Sequence, residues 1–490
     1  MRPAARGFLL GAIALAVVIV GLRLAIGARE WFYGDDFFFL TWVREAHWSW
    51  RETFIPSSAR WIAAYRPLGL DGYYVANFAL FGWNAFGYYV TGLLLQALTG
   101  YAVFRIARYY GLDLRVALAS GLVMLVAKPS STATYEVANH NYICAAMATA
   151  LALLWFLDYL RSGRARERWA SCSMLAIAVL CNEISAGMPF TAFVAALFVH
   201  SGPLPARARK SARDLWPHLA VVVLFLDFRV SGVPTRQLNW FYDVDVSLDM
   251  LSNTRGNLEL VMGGKLEFCA AVGLLALVVW SRFASHRRGV PFDASSQLVQ
   301  LALVGAVWLG IMLLPFAVLA LPTARFALAL LPPAALLLGA IWEALLPRLR
   351  PAFRSPALLL ALALLAPWRE SLEHLNTSRG AAYRDAHEIA VQALRANTKS
   401  SCVTVVCNGP GLANGSQCAL FRDGAFTTAF WSSVDPHRAL AIDYSEGGSE
   451  AFLEQVRNVH DCVRFYLQRD LTVSTEPPSN AGDASLLSAR

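Results

Sequence analysis

Long apolar segments that alternate with clusters of arginine are the feature that most constrains how this chain folds. A segment needs about 20 predominantly apolar residues to cross a bilayer as a helix, and such segments recur from the N-terminus to residue 368. The chain of 490 residues is 57% hydrophobic and only 16% charged, which is far more apolar than an ordinary soluble domain. The sequence therefore predicts an all-α polytopic membrane protein over residues 1–369.

The first apolar segment lies within residues 1–30 and has the basic start of an export signal. Its apolar core is longer than the usual core of about 7 to 15 residues, and many spans follow, so we interpret it as a retained first helix. Together with the later spans it predicts about 11 transmembrane helices. The later candidates are Phe86–Ile106, Val116–Val126, Tyr142–Leu160, Trp169–Leu180, Ala186–His200, Trp216–Val230, Phe268–Trp280, Leu298–Leu319, Phe326–Leu346 and Pro356–Trp368.

The arginine clusters fall in every second connection between these spans and predict the orientation. Basic loops stay in the cytoplasm, which places the N-terminus inside and the C-terminus outside. Lysine is rare beside arginine, a bias typical of a GC-rich bacterial genome, so we expect a multi-pass protein of the bacterial inner membrane. The clusters comprise Arg2, Arg6, Arg105, Arg108, Arg115, Arg161, Arg164, Arg166, Arg168, Arg207, Arg209, Lys210, Arg213, Arg282, Arg287, Arg288, Arg348, Arg350 and Arg354.

Polar groups collect on the predicted outer face, at the mouths of the helices. The segment WFYGDDFFFL sets Asp35 and Asp36 among aromatic residues just after the first helix, within a predicted first outer loop at residues 28–85. A charge in the hydrocarbon costs roughly 3 kcal/mol on insertion scales, so such groups usually face protein or a wet cavity. The pattern indicates a functional site. Other outer-face candidates are Tyr65, Arg66, Glu136, Asn139, His140, Asn182, Glu183, Asp227, Arg229 and Arg325.

Carboxylates and guanidinium groups at one level of the membrane suit sugar transfer from a lipid-linked phosphosugar. A carboxylate can remove the proton of an acceptor hydroxyl, which contributes on the order of 10² to 10⁴ in rate. A guanidinium can hold the phosphate leaving group through paired hydrogen bonds. The expected activity is therefore transfer of a sugar to an acceptor hydroxyl on the periplasmic face.

Three motifs occur in the order typical of one family. Asp35 and Asp36 follow the first span, YRPLGLDGYYVANFALFGWNAFGYYVTGLLLQAL runs from Tyr65 to Leu98, and CNEISAGMPF runs from Cys181 to Phe190. Together they resemble the membrane part of the TMTC and protein O-mannosyltransferase branch of the GT-C glycosyltransferases. The likeness covers roughly the first two hundred residues, and the segment Leu321–Gly339 resembles a late helix start of TMTC proteins more loosely.

The resemblance implies an inverting transferase with a polyprenyl-phosphate sugar as donor and a first-loop acid as general base. By position the base falls on Asp35 or Asp36, with Asp35 favoured, and Glu183 matches the acid of a Lys-Glu motif. Asn182 stands where the family has the lysine. The tetratricopeptide repeats of TMTC proteins are absent, so the acceptor stays open between a glycan, a lipid and a protein.

Each candidate also has a purely structural interpretation. The two aspartates could cap a helix or lie in a solvated loop, and Arg66 could brace the rigid turn that precedes Pro67. Glu183 could end a short helix. The remaining substrate-binding candidates have structural alternatives too: Arg325 could anchor a helix at the interface, Tyr65 belongs to the same YRP turn, and His140 could be a hydrogen-bonding loop residue.

Beyond residue 369 the sequence becomes polar and predicts a small extracytoplasmic α/β domain over residues 370–490, with a disordered tail from about residue 474. A strand is predicted at Cys402–Cys407, with helices before it and at Ser449–Leu467. Four cysteines lie in this domain, at Cys402, Cys407, Cys418 and Cys462, and the oxidising periplasm permits three pairings among them.

The sequence contains no Walker loop, Rossmann glycine pattern, zinc-ligand spacing or catalytic serine motif. It leaves open whether a divalent cation binds at Asp35 and Asp36, since acids favour hard cations. The expected partners are the lipid bilayer, the donor and the acceptor, with no nucleic acid. A flippase or transporter of lipid-linked sugars and a non-catalytic assembly subunit are the alternatives. Transporters usually show related halves, and no such repeat is evident here.

Overall fold

The computed structural model of this chain describes residues 3–32, 36, 39–40, 43, 54, 66–232, 249–262, 297–317, 324–366 and 368, together with four short strands beyond residue 400. Among these residues the fold is dominated by α-helices. The helices are α1 (Pro3–Gly27), α2 (Tyr73–Phe81), α3 (Ala85–Tyr109), α4 (Leu114–Val126), α5 (Lys128–Thr134), α6 (His140–Ser162), α7 (Ala165–Cys181), α8 (Met188–Val199), α9 (Leu204–Gly232), α10 (Asp249–Met262), α11 (Gln297–Ala317), α12 (Ala324–Leu345) and α13 (Pro351–Leu364).

The predicted spans coincide with helices wherever the structure describes them. The predicted span Phe268–Trp280 lies outside the described residues. By length and composition, five stretches of the described chain can cross a membrane. These stretches are Arg6–Gly27, Ala85–Tyr109, Val137–Ser162, Gln297–Phe316 and Phe326–Arg348.

The described residues fall into two compact units. The first lies within Met1–Ala25, Ser49–Leu80 and Gly87–Glu373, and the second within Ile26–Trp48, Phe81–Phe86 and His374–Arg490. In the first unit, α12 is the central helix, because it packs against α4, α5, α6, α10 and α11. Its residues from Ala327 to Leu331 are completely or almost completely buried. Apolar side chains that face protein on all sides identify this helix as the core of the bundle.

Helices α6 and α7 form an antiparallel hairpin that brings distant segments to one end of the bundle. The turn between them uses Gly163, which has a φ of 72° and donates its N–H to the carbonyl of Tyr159 at 2.7 Å. Glycine adopts this left-handed conformation without a steric penalty and commonly ends helices in this way. The start of α6 and the end of α7 consequently lie at the same end of the hairpin.

The segment after Arg66 is helical and begins as a π-helix at Pro67–Gly72. The N–H of Tyr73 bonds the carbonyl of Leu68, five residues back. Tyr73 and Tyr74, which follow the π-helix, are both buried inside the protein. Single π-turns are rare and occur frequently at functional sites.

Arg23 is a buried charge that the hydropathy pattern of α1 conceals. Only 2% of the residue is exposed, and its Nη1 donates to Gln96 Oε1 at 3.0 Å while Nη2 donates to the carbonyl of Ala127 at 3.3 Å. Ala127 is the residue at which α4 ends, and a cation at this position interacts favourably with the negative end of the helix dipole. These bonds fasten α1 to α3 and α4.

In the second unit the described strands are β1 (Cys402–Cys407), β2 (Ala441–Glu446), β3 (Cys462–Leu467) and β4 (Val473–Ser474). They form one sheet in the order β2-β1-β3-β4, in which β1 is parallel to both neighbours and β4 is antiparallel to β3. The predicted strand at Cys402–Cys407 is confirmed. The predicted helix at Ser449–Leu467 is wrong at its end, because Cys462–Leu467 is a strand. The rest of that helix lies outside the described residues.

Candidate functional site

Arg66 and Glu183 lie 117 residues apart in the sequence and form a bidentate salt bridge. Arg66 Nε donates to Glu183 Oε2 and Nη2 donates to Oε1, both at 3.0 Å. Of the two side chains, that of Arg66 is 8% exposed and that of Glu183 is 29% exposed. Paired, charge-assisted bonds of this kind fix both the distance and the plane of the guanidinium.

The π-helix at Pro67–Gly72 positions Arg66. Pro67 occupies the first helical position, where the missing N–H costs nothing. Gly69 lies against the backbone of Cys181, and a Cβ atom on Gly69 would be 2.4 Å from the carbonyl oxygen of Cys181. Only glycine permits this approach, so the π-helix is locked onto the end of α7, two residues before Glu183.

A 3₁₀ turn at Glu183–Gly187 positions the carboxylate. Asn182 caps this turn, since its Oδ1 accepts the N–H of Ile184 at 3.2 Å. Within the turn, Ser185 accepts a hydrogen bond from Thr149 of α6 at 2.9 Å. The Nδ2 of Asn182 is buried and has no hydrogen-bond partner. The backbone of Glu183 is therefore held in place independently of its side chain.

A row of aromatic rings connects Arg66 to the start of α12. The Arg66 guanidinium carbon is 5.3 Å from the ring centre of Tyr142, a distance that suits a cation–π contact. The Tyr142 ring meets Phe326 edge to face at 5.9 Å, and Phe326 stacks on Phe316 at 4.3 Å. Because Phe326 directly follows Arg325, the start of α12 lies near the same end of the bundle. The Arg325 side chain itself is outside the described residues.

His140 is brought to the same end of α6 but is completely buried. Its Nε2 lies 3.0 Å from the carbonyl of Thr134, which can only accept, so Nε2 carries a proton. Its Nδ1 lies 2.6 Å from the hydroxyl of Tyr73, which is also 3.0 Å from the carbonyl of Tyr88. The ring thus fastens α2 to the bundle, and substrate contact by His140 stays a prediction.

We expect Tyr73→Phe to lower the free energy of unfolding by about 1–3 kcal/mol, because the buried His140 Nδ1 loses its hydrogen-bond partner. Thermal or denaturant unfolding in detergent measures the change. Tyr101→Phe is the matched control: Tyr101 is 49% exposed, and its hydroxyl accepts a bond from Arg105 at 2.7 Å. An exposed substitution of this kind should change stability by no more than about 0.5 kcal/mol. Equal losses in the two variants would contradict the role given to His140.

Of the two aspartates predicted to act as the general base, the structure describes only Asp36. This residue is completely buried and belongs to the second unit. Asp35 and Tyr65 lie outside the described residues. Within the described part of the chain, no three His, Cys, Asp or Glu side chains gather as metal ligands. The catalytic role of Asp35 or Asp36 therefore stays a prediction from the sequence.

Two residues outside the predicted set of site residues contribute to these arrangements. Tyr142 supplies the ring beside Arg66, and its position two residues after His140 at a helix start could have drawn attention to it. Arg23 is a lone charge inside a strongly apolar helix, which is by itself a signal for a buried or functional group.

The solved structures similar to this chain include two proteins in complex with a lipid phosphate. The crystal structure of ArnT from Cupriavidus metallidurans bound to undecaprenyl phosphate matches with a TM-score of 0.55 and 14% identity, over 95% of this chain and 96% of that chain. The archaeal oligosaccharyltransferase AglB from Archaeoglobus fulgidus, in complex with an inhibitory peptide and a dolichol-phosphate, matches with a TM-score of 0.48 and 14% identity, over 80% of this chain and 58% of that chain.

No family model and no curated protein matches the sequence. The narrower resemblance to the TMTC and O-mannosyltransferase branch stays a prediction. The match to ArnT extends over nearly the whole of both chains, although the sequences are only 14% identical. The chain therefore has the same fold as ArnT.

Proposed function

We propose that this protein is an integral membrane glycosyltransferase that takes a sugar from a polyprenyl-phosphate donor. The sugar passes, with inversion, to an acceptor hydroxyl on the periplasmic face of a bacterial inner membrane. Asp35 or Asp36 acts as general base, and Arg66 binds the phosphate of the donor. Tyr65, His140 and Arg325 are the remaining candidates for substrate contact.

The observation that carries this proposal is the geometry of Arg66. Its guanidinium is almost completely buried and presents Nε and Nη2 side by side to two oxygens at 3.0 Å each. A phosphate offers two oxygens in the same arrangement, which is why arginine is favoured wherever phosphate is bound in a fixed orientation. ArnT, whose fold this chain shares, was crystallised with undecaprenyl phosphate.

The aspartate and Arg66 would act on different reactants in the same displacement. The aspartate takes the proton of the acceptor hydroxyl as the new glycosidic bond forms, and the departing phosphate keeps the electron pair of the broken bond. A fixed guanidinium stabilises the charge that grows on the phosphate, and electrostatic contributions of this type are often the largest single part of catalysis.

A strain that lacks this protein provides the test. Mass spectrometry of its glycans, lipids and glycoproteins identifies the acceptor that loses a sugar. The purified full-length protein in detergent should then restore that sugar from a polyprenyl-phosphate donor and release polyprenyl phosphate. A flippase needs two sides of a bilayer, so it would not restore the sugar in detergent. Failure in detergent together with activity in sealed vesicles would favour the flippase and contradict the proposal.

A further inference from the structure

The face of Arg66 that suits a phosphate is already occupied by a carboxylate. Glu183 uses both of its oxygens to accept from Nε and Nη2. A phosphate oxygen pair placed on the same two N–H groups would occupy the positions of Oε1 and Oε2. The two anions therefore exclude each other at this edge of the guanidinium.

The two partners differ in how easily they can move. Arg66 is 8% exposed and also contacts the ring of Tyr142, whereas the Glu183 side chain is 29% exposed. The cation is thus enclosed on the protein side of the pair, and the anion lies on the accessible side. An incoming anion would meet Glu183 before it reached Arg66.

The bonds that hold the turn around Glu183 do not involve its carboxylate. Asn182 holds the start of the 3₁₀ turn through its bond to Ile184, and Thr149 holds Ser185. Asn182 carries no charge, although the resembled family has a lysine at this position. It therefore adds no positive charge that would hold the carboxylate of Glu183 in its present place.

We propose that Glu183 is an internal competitor that occupies the phosphate position of Arg66 until a lipid-linked phosphate displaces it. This inference rests on the proposed function, in which Arg66 binds the donor. The apparent dissociation constant of the donor then equals the intrinsic constant divided by the fraction of molecules in which Arg66 is available. Weakening the competitor raises that fraction and tightens binding.

The test measures binding of undecaprenyl phosphate to the full-length protein in nanodiscs. We expect Glu183→Gln to bind this lipid at least about fivefold more tightly than the wild type, because the neutral amide competes less well for a guanidinium. Arg66→Gln should weaken binding at least about tenfold, since it removes the paired donors. In the Arg66→Gln background, Glu183→Gln should give no further gain.

Glu167→Gln is the matched control. Glu167 lies on the same helix as Cys181 but near its other end, about 21 Å away along the axis. It also takes part in an ion pair, with Arg164 at 4.0 Å, and accepts from Ser162. We expect its substitution to leave lipid binding unchanged.

The outcomes distinguish failure of the competition between Glu183 and phosphate from failure of the proposed function. If Glu183→Gln binds the lipid equally or more weakly than the wild type while Arg66→Gln still loses binding, Glu183 is not a competitor for the phosphate position. The proposal that Arg66 binds the donor phosphate would be unaffected. Unchanged binding by Arg66→Gln would instead refute the proposed phosphate ligand. Should Glu183→Gln fail to fold, Glu183→Asp takes its place, because the shorter side chain cannot keep both bonds at 3.0 Å and should also bind the lipid more tightly.

Discussion

Replacing Asp35 with asparagine should reduce sugar transfer by at least about a hundredfold, because general-base catalysis contributes on the order of 10² to 10⁴ in rate. Asparagine keeps the size of the side chain and can still accept a hydrogen bond, but it cannot take the proton of the acceptor hydroxyl. Release of polyprenyl phosphate from the donor, measured in detergent with the acceptor identified in the deletion strain, reports the effect. Binding of undecaprenyl phosphate by the same variant should be unchanged, since the base acts on the acceptor.

Asp36→Asn distinguishes the two neighbouring acids. Asp36 is completely buried, and a buried carboxylate that loses its charge is expected to affect folding as well as turnover. Unfolding temperatures of both variants therefore accompany the rates. Near-normal turnover in Asp35→Asn with a loss in a folded Asp36→Asn would move the base to Asp36. Normal turnover in both would refute the base mechanism.

Asp113→Asn is the control for an Asp→Asn substitution at a position outside the proposed site. Asp113 caps α4 through the N–H of Arg115 at 2.9 Å. Asparagine caps helices about as well as aspartate, so this variant should keep both its stability and its transfer rate. A comparable loss of transfer there would show that the assay responds to any Asp→Asn substitution.

The membrane helices were predictable because hydropathy is a local property. Each span carries its own signal within about 20 residues, and the predicted span Tyr142–Leu160 falls within α6 at His140–Ser162, which is part of a stretch long and apolar enough to cross a membrane. The buried position of Arg23 could not be predicted in this way, because its partners Gln96 and Ala127 lie 73 and 104 residues away along the chain. A window average hides one charge, and nothing in the local sequence indicates what neutralises or bonds it.

The candidate site was predictable as a set of residues but not as an arrangement. The turn before Pro67 and the Asn-Glu pair at the end of α7 singled out Arg66 and Glu183 as separate substrate contacts. Their direct pairing depends on a π-turn and on the approach of Gly69 to Cys181. Both are tertiary features, because the π-helix gains its stability from packing rather than from propensity.

The strand at Cys462–Leu467 was predicted as the end of a helix for a related reason. The preceding segment from Ser449 reads with helical spacing, and that pattern continues without a break into CVRFYL. These last residues are rich in β-branched and aromatic types, which favour strands. Pairing with β1, in which Cys402 lies opposite Cys462, decides the conformation. Sequence periodicity alone could not include that partner strand.

Gly69→Ala should abolish most of the transfer activity and destabilise the fold. The new Cβ atom would lie 2.4 Å from the carbonyl oxygen, 2.8 Å from Cα and 2.9 Å from the carbonyl carbon of Cys181. These are backbone atoms, so the clash cannot be relieved by a side-chain rotation, and we expect a loss of about 1–3 kcal/mol in the free energy of unfolding. Denaturant titration in detergent measures this loss.

The activity should fall further than the stability alone explains, because both halves of the ion pair depend on this contact. Arg66 directly precedes the π-helix that contains Gly69, and Glu183 follows Cys181 by two residues. A displacement of about 1 Å between groups that position a substrate can cost on the order of a hundredfold in rate. Transfer at temperatures well below the unfolding transition should therefore drop by at least about tenfold, with weaker binding of undecaprenyl phosphate.

Gly310→Ala is the matched control, since Gly310 lies within α11 and nothing within 4 Å would meet its Cβ. Alanine is a better helix former than glycine by about 1 kcal/mol, so this variant should be as stable as the wild type or more stable, with normal transfer. If Gly69→Ala retained wild-type stability and lipid binding, the close contact between the π-helix and α7 would not be what holds Arg66 beside Glu183. The phosphate-binding geometry would then have to arise from the Tyr142 contact and the cap at Asn182 alone.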